Sequence, residues 1–362
     1  MDDIASVGAA AKSARSPKAA RDSARATDVK TINLALQGGG AHGAFTWGVL
    51  DRLLEEPGLA FEGVSATSAG AMNASVLAYG LTIGGREGAR KALNNYWRRI
   101  SHAAMTSPLQ PSLFDRMLKD HSLRWSPAFM FFDLMTRLMS PYEFNPMNLN
   151  PLRDVVEQSV DFTVLNKPDC PVKVFLSATN VRTGKVKIFE PGQLSVDAAL
   201  ASACLPFMFQ AVEIDGEAYW DGGYMGNPAL YPLIYNCDST DILIVHINPL
   251  VRKEIPKTAT EILNRINEIG FNSSLMREMR AISFVTRLID QEQLDESKRV
   301  RIHGISDDEL MTGLGVASKL NADWEFLQYL RDMGRKRASE WMVEHFPKVG
   351  TESTVDIHAK FL

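Results

Sequence analysis

The sequence predicts an α/β protein of three layers, with helices on both faces of a mostly parallel sheet. Strand-like and helix-like segments alternate through the first 80 residues and beyond, the pattern that builds such layers. Two glycine-rich turns each follow a strand and open a helix. A short, continuously apolar strand then recurs far downstream at residues 242–246, before a mainly helical C-terminal portion.

Residues 31–36 alternate apolar side chains and read as the first strand. The strand runs into the turn Gln37-Gly-Gly-Gly-Ala-His-Gly43. A helix follows, with Trp47, Val49, Leu50, Leu53 and Leu54 mostly on one face, and Pro57-Gly58 stops it. A second strand near residues 61–66 meets the sharp turn Thr67-Ser-Ala-Gly-Ala71. The small residues after it, through Leu77, suit a tightly packed helix. Residues 101–151 are rich in Pro, Met and Phe. They have two readings: core packing beneath a long connection, or a lid-like insertion whose adaptable surface touches lipid aggregates. From 261 to 290, apolar residues such as Ile262, Ile266, Ile269, Leu275 and Met279 recur at helical spacing, beside Arg265, Arg277, Arg280 and Arg287. That helix reads first as charged and solvated, and second as a homodimer or membrane-surface contact. Further helices are expected at 324–330 and 341–346.

Composition narrows the function. The 362 residues carry 39 Lys+Arg against 43 Asp+Glu, a net charge of -4, with 45% hydrophobic residues. This excludes a broadly basic nucleic-acid binder and a mainly disordered chain. Cys170, Cys204 and Cys237 are too widely spaced for a disulfide framework or a CxxC metal site, and reduced thiols fit a cytoplasmic setting. No run of about 18–20 apolar residues is present, so no spanning helix is expected. Residues 1–28 lack the apolar core of a secretory signal and read as a flexible basic tail.

The first turn has two readings. Gly38, Gly40 and Gly43 satisfy GxGxxG, a dinucleotide fingerprint. That fingerprint also wants an acidic residue at the end of the second strand, where this chain has Ala66-Thr67-Ser68. The other reading makes Ser68 a nucleophile on a strand-to-helix elbow, with Ala66 and Gly70 as small neighbours. The backbone N–H groups of Gly38, Gly39 and Gly40 then point at a developing oxyanion. A plain N-cap role for Ser68 is the bland alternative. A serine hydroxyl needs a proton acceptor. Asp221, followed by Gly222 and Gly223, is one candidate. His246, at the end of strand 242–246, is a rival base in the order Ser68, Asp221, His246.

Taken together, Gly38-Gly-Gly-Ala-His-Gly43, Ala66-Thr-Ser-Ala-Gly70 and Asp221-Gly-Gly223 resemble the patatin-like phospholipases. The segments Ala201-Ser-Ala-Cys-Leu-Pro206, Ser177-Ala-Thr-Asn180 and Asn227-Pro228 add to the likeness, which covers about 33–235. Two positions depart from the family pattern: Ala66 replaces the first elbow glycine, and His42 stands where Arg or Lys is frequent, so no fixed charge is expected there.

The resemblance implies a patatin-like α/β/α sandwich and a Ser68–Asp221 dyad that cleaves fatty-acyl esters, phospholipids among them. It implies an oxyanion hole of Gly38–Gly40 amides, support from Gly43, Gly70, Gly222 and Gly223, and no cofactor or metal. Burial is expected to raise the pKa of Asp221, since an ordinary aspartate is a weak base for an alcohol. The partners so implied are a lipid or phospholipid substrate and a transient membrane-surface contact, without nucleic acid. A non-catalytic lipid-binding protein that keeps the fold is the alternative. The chain divides into a tail (1–28), a catalytic domain (29–250) and a helical extension (251–362).

Overall fold

A computed structural model of the chain describes residues 29–105 and 126–362. The expected tail, 1–28, lies outside the described residues, as does part of the expected insertion, 106–125. In chain order the strands are β1 (Lys30–Leu36), β2 (Leu59–Ala66), β3 (Lys173–Asn180), β4 (Val186–Phe189), β5 (Val212–Ile214), β6 (Glu217–Asp221), β7 (Asp241–His246) and β8 (Arg301–Ser306). The helices are α1 (Gly43–Leu53), α2 (Ala69–Met105), α3 (Pro127–Leu138), α4 (Pro141–Phe144), α5 (Pro151–Glu157) and α6 (Phe162–Leu165), then α7 (Val196–Ser202), α8 (Tyr231–Asn236), α9 (Ala259–Asp290), α10 (Asp308–Gly313), α11 (Trp324–Glu344) and α12 (Ile357–Phe361).

The strands form one sheet in the order β5-β6-β3-β2-β1-β7-β8, with β4 paired to β3. Neighbours from β3 through β8 run parallel, while β4, β5 and β6 form an antiparallel margin. Each central strand is buried on both sides, as a helix-covered parallel sheet requires. Ile32, Leu34, Leu36, Leu243 and Val245 face a core with α1, α2 and α11. Ala35, Ile242 and Ile244 face Leu275, Met279 and Ile282 of α9 on the other side. This is the three-layer α/β/α architecture.

Strand order reverses at β1, with β2 on one side and β7 on the other. Loops at the carboxyl ends of strands diverge at such a switch point and leave a crevice. The glycine-rich turn after β1 opens there.

Helix α2 is a hairpin. Gly84 and Gly85 leave helical geometry, and the returning limb packs back so closely that a Cβ on Gly80 would lie 2.4 Å from Ala89 Cα. Trp97 Nε1 on that limb donates to Asn73 Oδ1 at 3.0 Å, which brings residues near 100 back to the crevice end.

The C-terminal portion, expected to be helical, also contributes a strand: β8 pairs in parallel with β7 from Arg301 to Ser306. The two expected helices at 324–330 and 341–346 are one helix, α11. It crosses α1 at glycines on both partners, where a Cβ on Gly48 would meet the Arg331 carbonyl and one on Gly334 the Phe45 carbonyl. Lys30 at the start of β1 donates to the carbonyls of Phe346, Pro347 and Val349. Among the described residues, side chains of α9, β8 and α11 share the two cores with those of 29–250.

Candidate active site

Ser68 sits between β2 and α2 with φ +56°, a left-handed conformation rarely adopted by non-glycine residues and frequent at functional turns. Its neighbours hold it there. The Ser68 N–H donates to Ser202 Oγ at 2.9 Å, Gly70 N–H to Thr67 O at 2.8 Å, and Thr67 Oγ1 to Gly226 O at 2.6 Å. A Cβ on Gly70 would lie 2.3 Å from the Leu36 carbonyl, so only glycine lets the elbow press onto the end of β1. Ala66 is fully buried in the core, and its methyl group is accommodated where the family pattern has glycine.

Asp221 ends β6. Its N–H donates to Cys204 O at 2.7 Å, its carbonyl accepts from Thr179 Oγ1 at 2.8 Å, and its Oδ1 accepts from Gly223 N–H at 2.7 Å. Oδ2 is buried and has no hydrogen-bond partner. The side chain is 1% exposed. Burial pushes its pKa up to about 6, against the lowering effects of the Gly223 N–H, the nearby Ser68 hydroxyl and the more distant Lys319 charge. The result is a carboxylate beside a serine hydroxyl, with one oxygen held and the other open. It is a far better proton acceptor at neutral pH than an exposed aspartate.

The glycine turn approaches from β1. A Cβ on Gly38 would lie 2.6 Å from Ser68 Cβ, so this turn and the elbow touch. The Gly38 N–H donates to the buried Asn227 Oδ1 at 2.7 Å, and that amide is committed to the scaffold. Gly39 and Gly40 N–H have no hydrogen-bond partner among the described residues, so they are the two open donors. Of the supporting glycines, Gly43 lies against Ala69 and Trp97, Gly222 against the Ser177 carbonyl, and Gly223 against Phe271.

His246 is buried away from this pair. Its ring meets Phe361 edge-on, with Asp308 Oδ1 3.9 Å from Nδ1. No contact joins it to Ser68 or Asp221 among the described residues. Burial lowers its pKa. His42 is also buried, with Nε2 2.8 Å from Ser318 Oγ. Burial, helped by the Lys319 and Arg252 charges, lowers its pKa to about 3, so its imidazole is neutral.

Several polar residues outside the three central motifs build the walls. Gln37 Oε1 accepts from the Ile247 and Asn248 N–H groups at 3.0 and 3.1 Å, and its Nε2 donates to Asn227 O at 3.1 Å. Ser274 of α9 accepts from Asn227 N–H at 3.2 Å. Gln37 and Asn227 flank the glycine turn and the aspartate loop in sequence. Ser274 and Asn248 carry no local signal at all.

A family model described as patatin-like phospholipase matches residues 34–234. No curated protein matches the chain. Among solved structures, VipD from Legionella pneumophila is similar at 16% identity, over 87% of this chain and 67% of that one, with a TM-score of 0.40. The type III effector protein ExoU is similar at 14% identity, over 87% of this chain, with a TM-score of 0.34. ExoU in complex with SpcU, from Pseudomonas aeruginosa, gives 15% identity and a TM-score of 0.30. The chain spans 53% of the length of ExoU.

Proposed function

The chain belongs to the patatin-like phospholipase family, and on that premise we propose that it is a serine lipid acyl hydrolase that cleaves fatty-acyl esters of phospholipids or lysophospholipids. The observation that carries this reading is the left-handed Ser68 beside a buried carboxylate whose Oδ2 is unpartnered.

In the first half-reaction Ser68 Oγ attacks the ester carbonyl carbon while its proton passes to Asp221 Oδ2. The carbonyl oxygen becomes an alkoxide, and the Gly39 and Gly40 N–H groups are the donors available to it. Preformed donors of this kind contribute roughly 2.7–4 kcal/mol each elsewhere. The N-terminal end of α2 adds a favourable potential for the same charge. Collapse of the tetrahedral intermediate breaks the bond to the leaving oxygen, which takes the proton from Asp221. Water then attacks the acyl-Ser68 ester with Asp221 again as base, and the fatty acid leaves.

A lipid substrate must reach Ser68 from an aggregate, and the surroundings of the crevice suit contact with a membrane surface. Phe131 and Leu138 of α3 are 65% and 71% exposed, and Phe207 is 69% exposed. Phe207 belongs to the loop whose Cys204 carbonyl holds Asp221, and Gln210 of that loop donates to Asn145 O just after α4. Ile262, Ile266 and Ile269 are exposed on the first turns of α9. No helix among the described residues is long and apolar enough to cross a membrane.

The test is labelling with a fluorophosphonate probe, with lipid products from mixed vesicles followed by mass spectrometry. Ser68 is expected to carry the label, and Ser68→Ala to lose both label and product. A folded wild-type chain that binds vesicles but neither labels nor releases fatty acid would be a lipid-binding protein, and the hydrolase reading would fall.

A further inference from the structure

The family's usual Arg or Lys beside the glycine turn is absent here, and His42 in its place is neutral. A cation nevertheless reaches the turn from 277 positions downstream. Lys319 lies in the short segment between α10 and α11. Its Nζ donates to Asn248 Oδ1 at 2.8 Å, and Asn248 Nδ2 donates to the Gly38 carbonyl at 2.7 Å. The direction of this chain is fixed by chemistry. An ammonium can only donate and a backbone carbonyl can only accept, so the Asn248 amide has one possible orientation.

We propose that Lys319 is a positioning residue for the oxyanion site: acting through Asn248, its ammonium polarises the Gly38–Gly39 peptide and strengthens the Gly39 N–H as a donor to the tetrahedral intermediate. The inference rests on the hydrolase reading. The Gly38 carbonyl and the Gly39 N–H belong to one peptide unit, so a hydrogen bond accepted at the oxygen draws electron density from the nitrogen. Linked hydrogen bonds strengthen one another in this way in a low-dielectric interior.

The same segment grips the turn at two further points. Ser318 Oγ meets His42 Nε2, and a Cβ on Gly40 would lie 2.3 Å from the Lys319 carbonyl. Gly40 has φ +59°, a conformation glycine adopts freely, and the Lys319 carbonyl occupies the space a side chain would need. The segment therefore fixes the geometry of Gly40 while its ammonium acts on Gly39.

Charges of both signs surround Lys319. Glu268 of α9 and Asp221 favour its ammonium, Arg252 opposes it, and burial opposes it most, so its pKa falls to about 8. Glu268 is itself bound by Arg252 at 2.6 and 2.9 Å and by Arg265 at 3.2 Å. His42 is neutral and adds no charge. A Lys319 ammonium that is lost near pH 8 should give activity an alkaline limb there, distinct from the acid limb set by Asp221.

The experiment compares wild type, Lys319→Met and Lys319→Arg, each checked for cooperative thermal unfolding. On a soluble ester, Lys319→Met is expected to lower kcat about 10- to 100-fold, less than the roughly 10²–10³ lost when an oxyanion donor is removed outright, with little change in KM. Lys319→Arg should restore most of kcat and, because arginine does not titrate in this range, remove the alkaline limb near pH 8. With glycine isotope labelling, the Gly39 amide proton should move upfield in Lys319→Met and return in Lys319→Arg. Wild-type kcat in folded Lys319→Met, or an alkaline limb that persists in Lys319→Arg, overturns the proposal. So does an unchanged Gly39 shift, which decides the matter even if the wild type hydrolyses nothing and the hydrolase reading itself has failed. If Lys319→Met does not fold, the Lys319→Arg pH profile alone decides between the two outcomes.

Discussion

Asp221 carries two opposed demands. A proton acceptor for a serine hydroxyl must be basic, and here basicity comes chiefly from burial, which also makes the charged form unfavourable in the folded state. The folded pKa of about 6 lies above the ordinary value of 3.8. The carboxyl therefore favours folding fully at pH below 3.8, and this contribution is lost as pH rises through about 6. Asp221→Asn keeps an oxygen for the Gly223 N–H and removes the buried charge. It is expected to be inactive, yet more stable than wild type at pH 8 by about 3 kcal/mol, from 1.36 kcal/mol per pH unit. The difference should vanish near pH 3.5, as urea unfolding at the two pH values will show. Equal stability at pH 8 would mean that Asp221 is not the strained base described here. At this scale Ser68 and Asp221 were legible because motifs flank them. The engagement of Gly38 was not, since the acceptor, Asn227, lies 189 positions away. Lys319 was still less legible, because its role depends on a fold that places it over the turn rather than on any neighbour in sequence.

Elements decide how the site meets its substrate. Helix α9 packs Leu275, Met279 and Ile282 against the sheet, while Asn272 and Ser274 reach Gln37 and Asn227 at the crevice. Its residues from Ala259 to Gly270 precede that level, with Ile262, Ile266 and Ile269 exposed and Glu268 buried against Arg252 and Arg265. Exposed apolar side chains also line α3, Phe131 and Leu138 among them. Phe131→Ser with Leu138→Ser is expected to cut hydrolysis of vesicle phospholipid about tenfold, through lost apolar burial at roughly 25 cal/mol per Å². Turnover of a soluble short-chain ester should be unchanged. Equal losses on both substrates would assign α3 to structure instead of lipid contact. The 261–290 helix was readable from its period of apolar residues, but which part leaves the core was not. Strand β8 escaped notice because Arg301, His303 and Gly304 break its apolar alternation. His303 is nonetheless fully buried, held by Asp241 Oδ1 at 2.9 Å and Thr354 Oγ1 at 3.0 Å.

At the scale of the molecule, the family match ends at 234, whereas the core does not. Helix α11 covers α1 through the Gly48 and Gly334 crossing, and β8 and α9 complete the sheet on its other side. A chain ended at residue 250 would expose one edge and one face of β7 and leave the Gly40 turn without its cover. Such a fragment is expected to aggregate or to lack cooperative unfolding, as gel filtration and circular dichroism will show. A soluble, cooperatively folding fragment of 29–250 would show that the rest of the chain is dispensable for that core. The sequence becomes mainly helical after Pro249, and a helical pattern alone does not report which helices share a core.

The position of β1 also bears on how the chain is made. Its partner β7 begins at Asp241, about 200 residues after β1 ends, and at about 5–20 residues per second the ribosome needs roughly 10–40 s to deliver it. Through that interval the emerging sheet offers a bare, strongly apolar flank where β7 will later dock, the kind of edge that recruits neighbouring chains. Yield during expression should therefore depend on slow synthesis at low temperature or on chaperone supply, more than on the final stability of the folded protein.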